Sequence, residues 1–213
     1  MIITIDAVIL CDIISLKSVN LYIIRILVKR GDWMIYTYKE CIKKYKTNYE
    51  IKKRITNGSL VRVHRGIYSD NDYETELAII SKTYPEAVFT LNSAFYYQSL
   101  TDTIPRSYYM ITDKDFTKIK DIRVIQFFDN NNSLEIGVET KVYNGTEIRI
   151  FNRERLLIEL IRNKNKFSFD YYKEIITNYR KVIYELDIQA IQEYASQLPK
   201  TRLVLETLQL EVF

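Results

Sequence analysis

The sequence predicts an α+β fold in two parts, and three observations carry that prediction. Between residues 34 and 69, two short helical patterns are followed by a run in which apolar and basic residues alternate. From residue 70 to about residue 152, short strand-like segments are separated by turn residues. From about residue 153 the apolar spacing becomes helical and stays so to the C-terminus. Helices gathered behind strands point to a mixed α+β domain with a helical C-terminal segment, not to regular α/β alternation.

Composition bounds the function. A chain of 213 residues has room for one medium domain or two small ones. Hydrophobic residues at 47% and charged residues at 27% fit a globular chain and exclude wholesale disorder. Five glycines and three prolines exclude collagen-like and low-complexity classes. Two cysteines, Cys11 and Cys41, cannot form a disulfide framework, and they fit a reducing, cytoplasmic setting. The single histidine, His64, lies far in sequence from one cysteine and has too few companions for a structural zinc site, so no metal or cofactor is expected. No Ser/His/Asp motif or Gly-rich phosphate loop is present, so neither an enzyme nor a small-molecule substrate is expected.

Charge is unevenly distributed. The net charge is only +4. Residues 1–33 carry four basic and three acidic groups, residues 34–68 nine and two, and residues 69–213 eighteen and twenty-two. A polyanion is therefore attracted to the second segment and mildly repelled by the third.

Residues 1–33 form an N-terminal extension that admits two readings. One is a helix near residues 18–30, with Leu21, Ile24, Leu27 and Val28 on one face. The other, which we prefer, takes Met34 as the native start and residues 1–33 as translated upstream sequence, because Arg30-Gly31-Asp32 can be encoded by a purine-rich ribosome-binding run just before that Met. Asp6, Asp12, Lys17 and Arg25 interrupt the apolar stretch, so no membrane helix is expected, and the features of a signal peptide are lacking.

Residues 34–69 carry the most informative pattern. Thr37 and Glu40 have the spacing of a capping box, and Cys41, Ile42 and Tyr45 offer an inner helical face. Thr47-Asn48 marks a turn and a second cap, with Glu50 in the acidic first turn. The second helix runs from Tyr49 to Ile55, with Ile51 and Ile55 predicted inward and Lys52, Lys53 and Arg54 outward. Asn57-Gly58 ends it. Val61 and Val63 then alternate with Arg62 and His64, Arg65-Gly66 turns the chain, and Ile67-Tyr68 begin the return. Two helices and a basic hairpin in this order make a small winged helix-turn-helix. The predicted DNA contacts are Thr47, Asn48, Tyr49, Lys52, Lys53 and Arg54 from the second helix, and Arg62, His64 and Arg65 from the wing. A winged domain can also serve as a protein-docking module, which keeps a second reading open.

From residue 70 onward the mixed domain is expected. A helix is predicted over 73–84 with Leu77, Ile80 and Ile79 inward, ended by Pro85. A strand spans 87–90, and Asn92-Ser93 are predicted to cap the next helix. Strands are expected over 107–112, 122–128, 141–143 and 147–151, with Asn144-Gly145 as a hairpin turn and 129–133 as a polar loop. Helices follow from Arg153, over 169–184, over 187–198 with Asp187 as cap, and over 201–212 after Pro199. The eighteen tyrosines could serve an interface or stack on bases, but a core-and-surface role in an Ile/Lys/Asn-rich chain is the preferred reading.

Three other features need weighing. Gly58-Ser59 followed by Asp70-Asn71-Asp72 superficially matches a nucleotidyltransferase signature, but its intervening residues already form the wing and the aspartates sit in a polar turn. Asn57, Asn131 and Asn144 head glycosylation sequons that read as turns in a chain with no secretion signal. Arg153 and Arg155 place positive charge at a helix start against the helix dipole, so they are candidates for contact with a partner.

The run TYKECIKKYKTNYEIKKRITNGSLVRVHRGIYSD resembles the N-terminal domain of AbiEi-family antitoxins of type IV toxin–antitoxin (abortive infection) systems. The matching positions are Thr37, Gly58, Leu60, Arg62, Arg65, Gly66 and Tyr68. The resemblance continues through residues 84–105 and 148–162 and covers most of 34–213, but none of 1–33. If Met34 is the start, it departs there, because the usual first helix of the winged fold is then short or absent. The resemblance implies a winged domain that represses its own promoter at an inverted repeat in double-stranded DNA. It also implies a C-terminal antitoxin domain that counters an AbiEii-like nucleotidyltransferase toxin without needing to form a tight complex with it. The alternative is an interaction protein that does not bind DNA and restrains the toxin by direct contact.

Overall fold

The computed structural model describes residues 34–70 and 74–212. It is mixed α+β, and the chain divides into two compact units between Glu74 and Thr75. Both readings of residues 1–33 lie outside the described residues, as do Asn71, Asp72 and Tyr73.

The first unit runs β1 (Ile35–Thr37), α1 (Tyr38–Tyr45), α2 (Asn48–Thr56), β2 (Val61–His64) and β3 (Ile67–Ser69). The predicted capping box is present. The Glu40 amide donates to the Thr37 hydroxyl, and the Glu40 carboxylate accepts from the Thr37 amide at 2.7 Å. Thr47 caps α2 by accepting from the Glu50 amide. Gly66, at φ +78°, makes the tight turn between β2 and β3.

Strand β1 is not evident from the sequence, because three residues carry no readable period. It pairs antiparallel with β3, Tyr36 opposite Tyr68, and completes a sheet of order β1-β3-β2. Its Tyr36 joins Cys41, Ile51, Leu60 and Tyr68 in a small buried cluster. Strand β1 thereby contributes to the core of the first unit.

Two details of α2 differ from expectation. Ile55 is exposed, not inward, and Arg54 is half-buried, not outward. The cause is angular. On a helix centred on the buried Ile51, positions 54 and 55 flank the inner face on opposite sides, and the ring of Tyr45 takes the Arg54 side. The alternation predicted for the wing is also broken. The β2–β3 register shifts between Arg62 and His64, a bulge that turns His64 partly inward.

The second unit runs α3 (Glu76–Thr83), β4 (Val88–Phe89), α4 (Leu91–Tyr97), β5 (Tyr108–Asp113), β6 (Val124–Asp129), β7 (Val138–Tyr143) and β8 (Thr146–Phe151). It continues through α5 (Arg153–Arg162), α6 (Phe169–Lys181), α7 (Ile188–Gln197) and α8 (Thr201–Thr207), and ends in a π-helical turn, Leu208–Val212. Short 3-10 turns occupy Lys164–Lys166 and Ile183–Glu185. The five-stranded sheet has the order β6-β5-β4-β8-β7, with β5 and β6 parallel and the β7–β8 hairpin antiparallel. Asn144 and Gly145 both adopt positive φ in that hairpin turn, as the sequence requires. Phe89, Met110, Ile148 and Ile150 from the strands bury against Phe95, Leu156, Leu160, Ile175 and Tyr179 from the helices.

Asn92-Ser93 do not cap α4. Thr90 stands at the cap, and β4 passes directly into the helix through Leu91 at φ +43°. Ser93 is fully buried and ties α4 to the start of β5: its hydroxyl donates to the Ser107 carbonyl and accepts from the Tyr109 amide. Among the described residues, no helix is long and apolar enough to cross a membrane.

Candidate nucleic-acid interface

The residues predicted to meet DNA all lie in the first unit, and their surroundings differ. On α2, Thr47, Asn48, Tyr49, Lys52 and Lys53 are exposed, with Tyr49 at 71%. Arg62 on β2 and Arg65 in the turn are exposed as well. Among the described residues, none of Lys52, Lys53, Arg62 and Arg65 forms an ion pair. Lys44 ion-pairs with Asp70 instead. Glu40 serves the α1 cap, and Glu50 sits in the first turn of α2, where it complements the helix dipole.

Two predicted contacts are less available. Arg54 lays its guanidinium 4.5 Å from the Tyr45 ring centre, and its Nε is buried without a hydrogen-bond partner among the described residues. His64 is half-buried, and its Nδ1 is likewise buried and unpartnered. Both are better placed to shape the unit than to reach a phosphate.

Lys44 belongs to a separate cluster. Its ammonium donates to the Tyr36 hydroxyl and lies over the Tyr36 and Tyr45 rings. Tyr36 in turn donates to the Asp70 carboxylate at 3.2 Å, which also accepts from the Met34 amide. Hydrogen bonding to Tyr36 holds Lys44 above its ordinary range, outweighing burial, which acts the other way. The Asp70 of the nucleotidyltransferase-like signature is thus engaged in holding β1, and Ser59 bonds Asn57 in the turn after α2.

Three further lysines lie along α1 and at its C-cap, Lys46. Lys39, Lys43 and Lys46 are exposed and free of ion pairs among the described residues. Their spacing of four and three, opposite the buried Cys41, was the signal that could have shown them.

In the second unit, the partner candidates turn inward. Arg155 is 1% exposed. It ion-pairs with Glu159, donates to the Ser133 carbonyl at 3.2 Å and lies over the Phe151 ring. The guanidinium is thus engaged inside the second unit rather than offered at its surface. Its placement depends on Gly137, at φ +70°, where a Cβ would sit 2.6 Å from the Arg155 Cβ. Arg153 ion-pairs with Glu185 at 2.7 Å and donates to the Gln98 carbonyl, with its side chain 28% exposed. Tertiary contacts explain both arginines where local helix electrostatics did not.

No family model matches the chain, and no curated protein matches it. Among solved structures, the crystal structure of the RV2827C protein from Mycobacterium tuberculosis is similar, with a TM-score of 0.59 at 10% identity over 90% of this chain and 77% of that one. Likeness at that identity concerns the fold alone.

Proposed function

We propose that the chain is a DNA-binding autorepressor and antitoxin of a type IV toxin–antitoxin system, which binds its own promoter and counters a nucleotidyltransferase-like toxin in the cytoplasm. One observation carries the DNA half of this reading. The first unit exposes Tyr49, Lys52 and Lys53 on α2 and Arg62 and Arg65 on the hairpin, and no carboxylate neutralises these cations among the described residues. Unpaired cations on a helix and an adjacent hairpin are what a phosphate backbone attracts, and Asn48 and Tyr49 at the helix start suit contact with base edges. The antitoxin half rests on the resemblance of Thr37, Gly58, Leu60, Arg62, Arg65, Gly66 and Tyr68 to the AbiEi pattern.

A second reading, direct restraint of the toxin by contact, draws on a different observation. A groove of about 1140 Å³ in the second unit is lined by apolar side chains mixed with polar ones such as Arg202 and Glu206, with Tyr184 fully exposed and Ile188 and Leu205 partly so. The two readings separate in one experiment. Binding to an inverted repeat upstream of the gene, steeply weakened by salt, supports the repressor. A stable complex with the toxin and no preference among DNA sequences supports restraint by contact.

A further inference from the structure

The second unit is close to neutral overall, yet one pocket in it is basic. Residues 164–181 carry five basic and two acidic groups. The pocket, about 360 Å³, is formed by Lys164, Phe169, Tyr172, Lys173, Arg180 and Glu211 among others. Glu211 sits in it as an anion would. One carboxylate oxygen accepts from Lys164 Nζ at 2.6 Å, and the other accepts from the Tyr172 hydroxyl at 2.7 Å. Arg180 Nε donates to the Glu211 backbone carbonyl at 2.8 Å.

The charges do not balance. Lys164, Lys173 and Arg180 line the pocket, and among its lining residues only Glu211 carries a carboxylate. Lys173 lies over the Phe169 ring, and neither Lys173 nor Arg180 has an ion-pair partner among the described residues. Glu211, at the pocket wall, belongs to the π-helical turn Leu208–Val212, an uncommon backbone form that recurs at functional sites. Donors already arranged around a carboxylate, with positive charge to spare, are suited to a tetrahedral dianion.

We propose that this pocket is a phosphate-binding site which the chain's own Glu211 carboxylate occupies at rest. A phosphate entering it displaces Glu211, takes the hydrogen bonds of Lys164 and Tyr172, and brings Lys173 and Arg180 into play. The site lies wholly in the second unit and stands independently of the DNA-binding reading.

The test is titration of the full chain with inorganic phosphate at constant ionic strength, followed by backbone amide shifts. Wild type, Glu211→Gln and Lys173→Ala are compared. Glu211→Gln removes the competing charge and is expected to bind phosphate roughly tenfold tighter than wild type. Lys173→Ala leaves every Glu211 contact intact and is expected to weaken binding several-fold, so the proposal remains testable if Glu211→Gln loosens the C-terminal turn. Saturable shifts confined to residues 164–180 and 208–212 support the site. Shifts that track every lysine alike, or no saturable binding at millimolar phosphate in any of the three, overturn it.

Discussion

The guanidinium of Arg54 lies 4.5 Å from the ring centre of Tyr45, so one of the nine cations of residues 34–68 packs between α1 and α2. A cation over an aromatic face stabilises the pair, and the long stem adds apolar contact. Arg54→Ala is therefore expected to lower stability by about 1 kcal/mol. It should leave the salt dependence of DNA binding nearly unchanged. Denaturant unfolding and binding across a salt series check both halves; a reduced salt slope would return Arg54 to the contact surface.

Lys52 and Lys53 behave in the opposite way. Both are exposed and unpaired among the described residues, so Lys52→Ala with Lys53→Ala should leave unfolding unaltered. The slope of log affinity against log salt should fall by about two, with equal loss on specific and random DNA. Fluorescence anisotropy at several salt concentrations measures this.

Asn48 and Tyr49 test sequence reading instead of attraction. Alanine at either position should reduce the preference for the native site more than it reduces affinity for random DNA. Equal losses on the two DNAs would remove them from the base-reading set.

Arg155 and Gly137 form one structural unit. Arg155→Ala leaves Glu159 with Arg162 alone as its cationic partner and should cost about 3–5 kcal/mol. Gly137→Ala should also destabilise markedly, because its Cβ would meet Asn152 Oδ1 at 2.9 Å as well as Arg155, at a positive φ. Thermal unfolding tests both, and an unchanged melting temperature in either would contradict the packing described.

Much of this arrangement was legible in the sequence. The capping box at Thr37, the cap at Thr47, the Gly66 turn and the Asn144-Gly145 hairpin all depend on contacts within a few residues, and local chemistry decides them. What escaped depends on distant partners. Strand β1 exists because β3 pairs with it, and Ser93 serves the start of β5 rather than its own helix. Arg54 and Arg155 look alike with Lys52 and Arg153 in a sequence; only the rings of Tyr45 and Phe151 distinguish them. Charge type is a local property, whereas exposure is set by the fold.

Glu211 gives a pH prediction. Burial raises its pKa, but hydrogen bonds from Lys164 and Tyr172 and the charges of Lys164 and Arg180 outweigh this and hold the carboxyl below its ordinary range. A depressed folded value contributes stability that is fully present above the unfolded pKa, about 4.3. That contribution is lost as pH falls through the depressed value. The stability difference between wild type and Glu211→Gln should thus be constant at neutral pH, shrink below about 4.3 and vanish in stronger acid. Paired urea unfolding over that range reads it, and a difference independent of pH would contradict the ion pair.

We propose that the first unit binds the gene's own promoter. The most direct test is anisotropy of the full chain on its upstream DNA beside scrambled DNA of equal length, both across a salt series. The account predicts tighter binding to the native DNA, a steep salt slope, and loss of both with Lys52→Ala and Lys53→Ala combined with Arg62→Ala and Arg65→Ala. Weak binding, equal on the two DNAs, would contradict it and leave direct restraint of the toxin as the reading to pursue.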